Sequence, residues 1–302
     1  MPVISYAQAI IIGILQGITE LFPVSSLGHS VLIPAWLGGS WSHLVTQEAS
    51  AESPYLAFIV GLHVATALAL LLLFWRDWVG IVTGFLTSIR YRRIETTYER
   101  LAWLIVIATI PAGLTGLLLE HTLRTLFAKP FAAGLLITIN GLILLGAEYL
   151  RRRAPAHRPV HVPSTDPGAP NETDVAINQQ VSFRDAGVIG VLQTAALLPG
   201  ISRSGITMSG GLLRGLTHEE AVRFAFLLAT PIILAAGLYK VPDLAGPLGN
   251  GIRGQVLAGS VAAFFSALVA AKFLERWFLT RTLTPFAIYC LIFGVFSMVR
   301  FA

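Results

Sequence analysis

Long apolar runs, broken at a few places by proline, serine and glycine, dominate the pattern of this chain. Six runs are continuous enough to cross a bilayer as helices: Tyr55–Trp75, Leu101–Leu119, Phe131–Leu150, Glu220–Tyr239, Gly254–Phe273 and Pro285–Val299. Two regions behave differently, Ala7–Leu37 and Asp185–Leu213. Each holds an apolar stretch, a polar break and a second apolar stretch, with arms of about a dozen residues that are too short to span. The pattern predicts helix–break–helix hairpins that dip into the membrane and return on the same side. Broken backbone is tolerated at that depth only inside protein or along a wet cavity. The apolar runs are continuous rather than alternating, which argues against a β-barrel.

The order is hairpin plus three spans, twice. Gly13-Ile14-Leu15-Gln16 resembles Gly190-Val191-Leu192-Gln193, and each is followed by a proline and a serine-rich turn. An odd number of spans per half makes the second half enter from the opposite side, which is an inverted-topology repeat. The expected fold is therefore an all-α polytopic membrane protein. Residues 1–150 form the first repeat, with its re-entrant hairpin at 7–37. Residues 151–184 form a cytoplasmic linker, and residues 185–302 form the second repeat, with its hairpin at 185–213. Five prolines between Ala154 and Gln180 predict a mobile loop there. His157 and His161 in that loop read as solvated rather than metal-binding.

Of 302 residues, 55% are hydrophobic and only 12% charged, and the mean hydropathy is +0.72. A soluble domain carries about 25% charged residues. The net charge of +5 does not point to nucleic acid, because the basic residues sit in short loops where they set orientation. The model places fifteen of the 21 Lys and Arg residues on one side and five on the other, with Arg203 inside a hairpin. The richer side is cytoplasmic by the positive-inside rule, so both termini and the opening of the first hairpin face outward. The N-terminal segment has no basic n-region, so a cleaved signal peptide is not expected. The single cysteine, Cys290, excludes an intrachain disulfide.

Candidate chemistry lies in the two breaks. Gln16 and Glu20 are four apart and share a helix face. Ser25 and Ser26 follow Pro23, Gly28 permits close backbone approach to a ligand, and His29 opens the returning helix. The second break, Pro199 to Ser204, brings Ser202, Arg203 and Ser204, with Thr207 one turn on. Arginine presents a planar fork of donors to phosphate, and helix N-termini favour anions. A carboxylate, hydroxyls, an imidazole and an anion clamp fit phosphoryl transfer. Glu20 is also a candidate ligand for a divalent cation, Mg²⁺ or Ca²⁺, held jointly with substrate phosphates. His63 reads as structural or cavity-facing, and Glu148, Glu219 and Glu220 read as interfacial.

The motifs resemble those of the bacterial undecaprenyl-diphosphatases linked to bacitracin resistance. The first stands here as Gln16, Glu20 and Pro23-Val24-Ser25-Ser26-Leu27-Gly28-His29. The second runs from Pro199 to Thr207 as Pro-Gly-Ile-Ser-Arg-Ser-Gly-Ile-Thr. The resemblance implies hydrolysis of undecaprenyl diphosphate to the monophosphate carrier used in cell-wall synthesis. It also implies an inner-membrane location, a divalent cation, a site on the outer side, and bacitracin competing for the lipid substrate. Carried over by motif position, Glu20, Ser26, His29 and Arg203 form the essential set. Gln16, Ser25, Ser202, Ser204 and Thr207 would bind substrate. Gln16 stands where the family often has Glu, and an amide cannot act as a base, which shifts weight to Glu20.

Three assignments are compatible with these residues: Ser26 as nucleophile with His29 as base, His29 attacking directly, or Glu20 activating a water. A transporter or flippase of a lipid phosphate is the alternative function, since inverted repeats and broken helices also serve transport. The oligomeric state is left open, and an oligomer is compatible with the pattern.

Overall fold

The computed structural model describes residues 4–41, 44, 54–127, 129–153, 170–246 and 249–302. Twelve α-helices account for most of them: α1 Tyr6–Leu21, α2 Ser26–Leu37, α3 Pro54–Leu73, α4 Trp75–Tyr91, α5 Thr97–Phe127, α6 Pro130–Arg153, α7 Glu172–Gln180, α8 Phe183–Gln193, α9 Arg203–Leu213, α10 His218–Ala245, α11 Arg253–Phe278 and α12 Thr284–Phe301. Among the described residues, five helices are long and apolar enough to cross a membrane, or six if the bent pair α3 and α4 counts as one span. They expose large apolar side chains, such as Leu118 at 79% and Val299 at 75%, as lipid-facing surfaces do.

Both hairpin regions resolve into two short helices around a break. α1 has 16 residues and α2 has 12. At 1.5 Å per residue even α1 is about 24 Å long, shorter than the hydrocarbon core. α8 and α9 have 11 residues each. The two leading arms start alike: Ser5 and Ser182 each close a capping box, with Gln8 and Asp185 respectively. Such a box satisfies two orphan donors of the first turn at once.

The packing pairs the two halves. α3 lies on α10, α6 on α12, α1 on α11 and α5 on α8. In the order of elements within each half, first span meets first span and third meets third. The leading arm of each hairpin meets the second span of the other half. Gly13 and Gly190 make the last two contacts possible. A Cβ on Gly13 would clash with the Gly259 backbone on α11, and one on Gly190 would come within 2.6 Å of the Ala108 carbonyl oxygen on α5. Small residues let helices approach closely where lipid offers no hydrophobic drive.

Two expectations need correction. The stretch after the first span, whose arginines are read above as lying in a short loop, contains α4, bent by 89° from α3. Val79, Val82, Leu86 and Ile89 are exposed along it, while Gly84 lies under the α5 N-terminus. The amphipathic pattern and Arg90 in the last turn are those of an interfacial helix. The linker is also shorter than expected, because residues 172–180 form α7. Asn171 caps α7, and Asp174 is fully buried. Asp174 receives two bonds from Arg223 of α10, at 2.7 and 2.9 Å. Arg223 also pairs with Asp77 of α4 at 2.8 Å. This buried triad ties three helices together, and a paired charge is the form in which burial is tolerated. Residues 154–169, with His157 and His161, lie outside the described residues.

Candidate active site

The two breaks meet. Ser25 takes a positive φ of 73°, an uncommon conformation for a residue with a side chain. Its hydroxyl accepts from the Gly28 N–H at 3.3 Å, capping α2, and from the Gly200 N–H of the second break at 3.1 Å. Gly200 itself has φ 129°, and a Cβ there would run into α6. Gly28 lies against Gly200, where a Cβ would sit 3.0 Å from the Gly200 Cα. Its missing side chain therefore admits the other break rather than a ligand. Ser204 donates to the Phe22 carbonyl at 3.2 Å. Asn140 of α6, fully buried, completes the join. Its amide donates to the Pro23 carbonyl at 2.9 Å, and its carbonyl accepts from the Ser202 N–H at 3.0 Å.

Glu20 sits at the centre with 8% exposure. Arg203 donates through Nη2 to its Oε1 at 2.7 Å. Its Oε2 accepts from Ser26 Oγ at 2.5 Å and from Gln16 Nε2 at 3.1 Å. His63 of α3 places Nε2 at 3.3 Å from the same oxygen. One carboxylate thus gathers donors from α1, α2 and α9, with the imidazole of α3 beside it. Charge-assisted contacts of this kind are the strong ones, and they offset the cost of burying the charge.

His29 faces elsewhere. Its Nδ1 lies 2.7 Å from the Ser25 carbonyl, which can only accept, so Nδ1 carries the proton. Its Nε2 lies 2.7 Å from the Tyr289 hydroxyl of α12. Ser26 donates to Glu20 rather than to His29. Both residues nevertheless line one narrow cleft between α1 and α2, of about 10 Å³, room for one water. Gln16, Thr19 and Ser30 line its polar part, and Ile12, Leu15, Ile33 and Pro34 its apolar part.

The remaining residues expected at the site play local roles in this state. Ser202 caps α9 by accepting from the Gly205 N–H, and it shares a bond with Ser204 at 3.0 Å. Thr207 donates to the Arg203 carbonyl within its own helix. Three residues went unnoticed or were set aside in the sequence: His63, Asn140 and Tyr289. A polar group on an otherwise apolar span was the only local signal each gave.

Glu20 does not find the companions of a protein-built metal cage. Among the described residues, no group of three or more His, Cys, Asp and Glu side chains could hold a metal ion. Both Glu20 oxygens are also already occupied by donors.

A family model described as bacitracin resistance protein BacA matches residues 9–296. The chain belongs to the BacA family. This BacA-family chain is 56% identical over 341 residues to Undecaprenyl-diphosphatase 2 of Frankia alni, covering 100% of this chain and 99% of that protein. It is 57% identical over 300 residues to Undecaprenyl-diphosphatase of Mycolicibacterium paratuberculosis, covering 99% and 98%. It is 43% identical over 296 residues to Undecaprenyl-diphosphatase of Gluconobacter oxydans, covering 96% of each.

Proposed function

We propose that this protein is a membrane phosphatase that hydrolyses undecaprenyl diphosphate to undecaprenyl phosphate and inorganic phosphate, recycling the lipid carrier. The observation that carries the reading is the buried carboxylate of Glu20 held between Ser26 of one break and Arg203 of the other. The names and near full-length similarity of the relatives agree with it.

The chemistry follows from the hydrogen bonds. Ser26 Oγ attacks the terminal phosphorus and passes its proton to Glu20 Oε2. The bond from that phosphorus to the bridging oxygen breaks, and the lipid monophosphate leaves. Arg203 spends only Nη2 on Glu20, so its other donors are free for phosphate oxygens, where developing charge needs them. A water entering the cleft beside Ser26 and His29 then attacks the phosphoserine and gives a proton to His29 Nε2. The phosphorus–Oγ bond breaks, Ser26 recovers its proton from Glu20, and His29 Nε2 gives up its proton to solvent as inorganic phosphate leaves. Geometry favours Glu20 over His29 as the base for Ser26. Ile12, Leu15 and Ile33 give the cleft an apolar end, which would have to widen to admit the start of the prenyl chain. A divalent cation would be held jointly by Glu20 and the substrate phosphates and would neutralise charge on the diphosphate, since Glu20 has no companion carboxylate among the described residues. Bacitracin would compete by sequestering the same lipid.

Further parts of the reading concern architecture. The reciprocal packing of the two halves and the matched positions of Gly13 and Gly190 support an inverted repeat with two re-entrant hairpins. The excess of Lys and Arg in the loops supports a cytoplasmic linker. The site would then open outward at the inner membrane, with both termini outside.

The test is phosphate release by purified protein from undecaprenyl diphosphate in detergent with Mg²⁺. Wild type should turn over and Glu20→Ala should lose at least about 100-fold, the scale of removing one preorganised catalytic group. Radiolabelled phosphate trapped on Ser26 would support the covalent route. Transport would replace this reading if wild type released no phosphate while moving the lipid across liposomes in an Arg203-dependent way.

A further inference from the structure

Tyr289 is 42% exposed on α12, yet its hydroxyl reaches His29, which is 3% exposed. The two rings are nearly parallel, at 10°, and Phe293 stacks on His29 at 5.2 Å. α12 comes from the second half of the chain and meets the first break through Phe286, edge-on to Phe22 at 5.3 Å, and through Cys290, a weak 3.9 Å neighbour of the Pro23 carbonyl. A second bond, Trp36 Nε1 to Ser297 Oγ at 3.0 Å, ties the far end of α2 to the same helix. The imidazole is therefore held at both nitrogens: the Ser25 carbonyl fixes the proton on Nδ1, and the Tyr289 hydroxyl donates to the Nε2 lone pair.

We propose that Tyr289 is a positioning residue of the phosphatase site, whose hydroxyl holds His29 with Nε2 as the acceptor until the attacking water takes its place. The inference rests on the phosphatase reading above. A hydroxyl suits this duty better than a fixed donor. It donates to neutral Nε2, and by rotating its proton it accepts from Nε2–H after His29 has taken up the proton of the water. The same contact therefore orients the ring on either side of the step. Without it, the Ser25 carbonyl and Phe293 still hold one side and one face of the ring, but Nε2 has lost its own partner.

Tyr289→Phe isolates the hydroxyl while keeping the ring stack. Purified full-length protein is assayed with undecaprenyl diphosphate and Mg²⁺ in detergent. The nitrogen-15 signals of His29 are recorded in histidine-labelled protein and assigned with His29→Gln. The expected result is a fall in kcat of about 10- to 100-fold, the scale of misdirecting a reacting group, with KM little changed. The His29 signals should move away from those of a ring held at both nitrogens. Unchanged kcat, a raised kcat, or a fall in kcat with unmoved His29 signals would each overturn the proposal. Wild-type protein that released no phosphate would instead refute the functional reading, and the His29 signals would still decide whether Tyr289 holds the ring.

Discussion

Asn140→Ala should separate the two breaks without touching a reacting group. The side chain lies on α6 with no exposure and satisfies one backbone group from each break, the Pro23 carbonyl and the Ser202 N–H. Alanine strands both. An unsatisfied buried backbone group costs about 1–3 kcal/mol, so the pair amounts to about 2–6 kcal/mol. The Cys290 thiol, 3.9 Å from the Pro23 oxygen, is a weak substitute for one of them. Part of the loss appears as instability and part as a looser register between Glu20 and Arg203. Each 1.4 kcal/mol that reaches the transition state slows turnover about tenfold. The assay pairs thermal unfolding in detergent with phosphate release well below the melting temperature. The variant should melt several degrees lower and turn over at least about tenfold more slowly. Thr138→Ala is the control, because that hydroxyl bonds only to the Gly134 carbonyl of its own helix. A variant that melts and turns over like wild type would refute the claim that Asn140 couples the breaks.

Two further outcomes bear on the rest of the molecule. Asp174→Ala leaves Arg223 buried with Asp77 as its remaining partner, and should destabilise the protein by about 3 kcal/mol, seen as a lower melting temperature and earlier proteolysis near α7; unchanged melting would show that the triad is dispensable. A cysteine introduced between residues 154 and 169 should resist impermeant thiol reagents in intact cells, and native Cys290 is buried and gives no background. Labelling from outside would invert the proposed orientation.

The spans and both breaks were legible because each depends on local pattern. Long apolar runs need no partner to be recognised, and Glu20, Ser26, His29 and Arg203 stand out where polar groups are expensive. His63, Asn140 and Tyr289 carried no such signal, since one polar residue on an apolar span is common and its meaning lies in what it faces. Tyr289 is 260 positions from His29, and Asn140 is 117 from Pro23. α4 was hidden by its flanking arginines, although the spacing of Val79, Val82, Leu86 and Ile89 has a helical period. α7 was hidden by the prolines before it. Its one local mark is Asn171 three residues before Asp174, a capping pattern. Its docking depends on Arg223, which no local rule reaches.

The site's division between the halves has a physical reason. A lone carboxylate within the membrane is unstable unless donors converge on it, and no single helix can supply them all. α1 offers Glu20 only Gln16. The hydroxyl comes from across the first break, the imidazole from α3 and the guanidinium from the second half of the chain. Docking of the breaks and charging of the site are therefore one event, because Arg203 loses its buried partner if they part and Glu20 loses its nearest cation. The same contacts limit what the chain can do as a transporter. Alternating access by rocking one half against the other would have to break the Arg203–Glu20 pair and the Ser202–Asn140 bond in every cycle. The hydrolytic route proposed above leaves the Ser202–Asn140 bond in place: a phosphate would share the remaining donors of Arg203 and a water would displace one tyrosine hydroxyl.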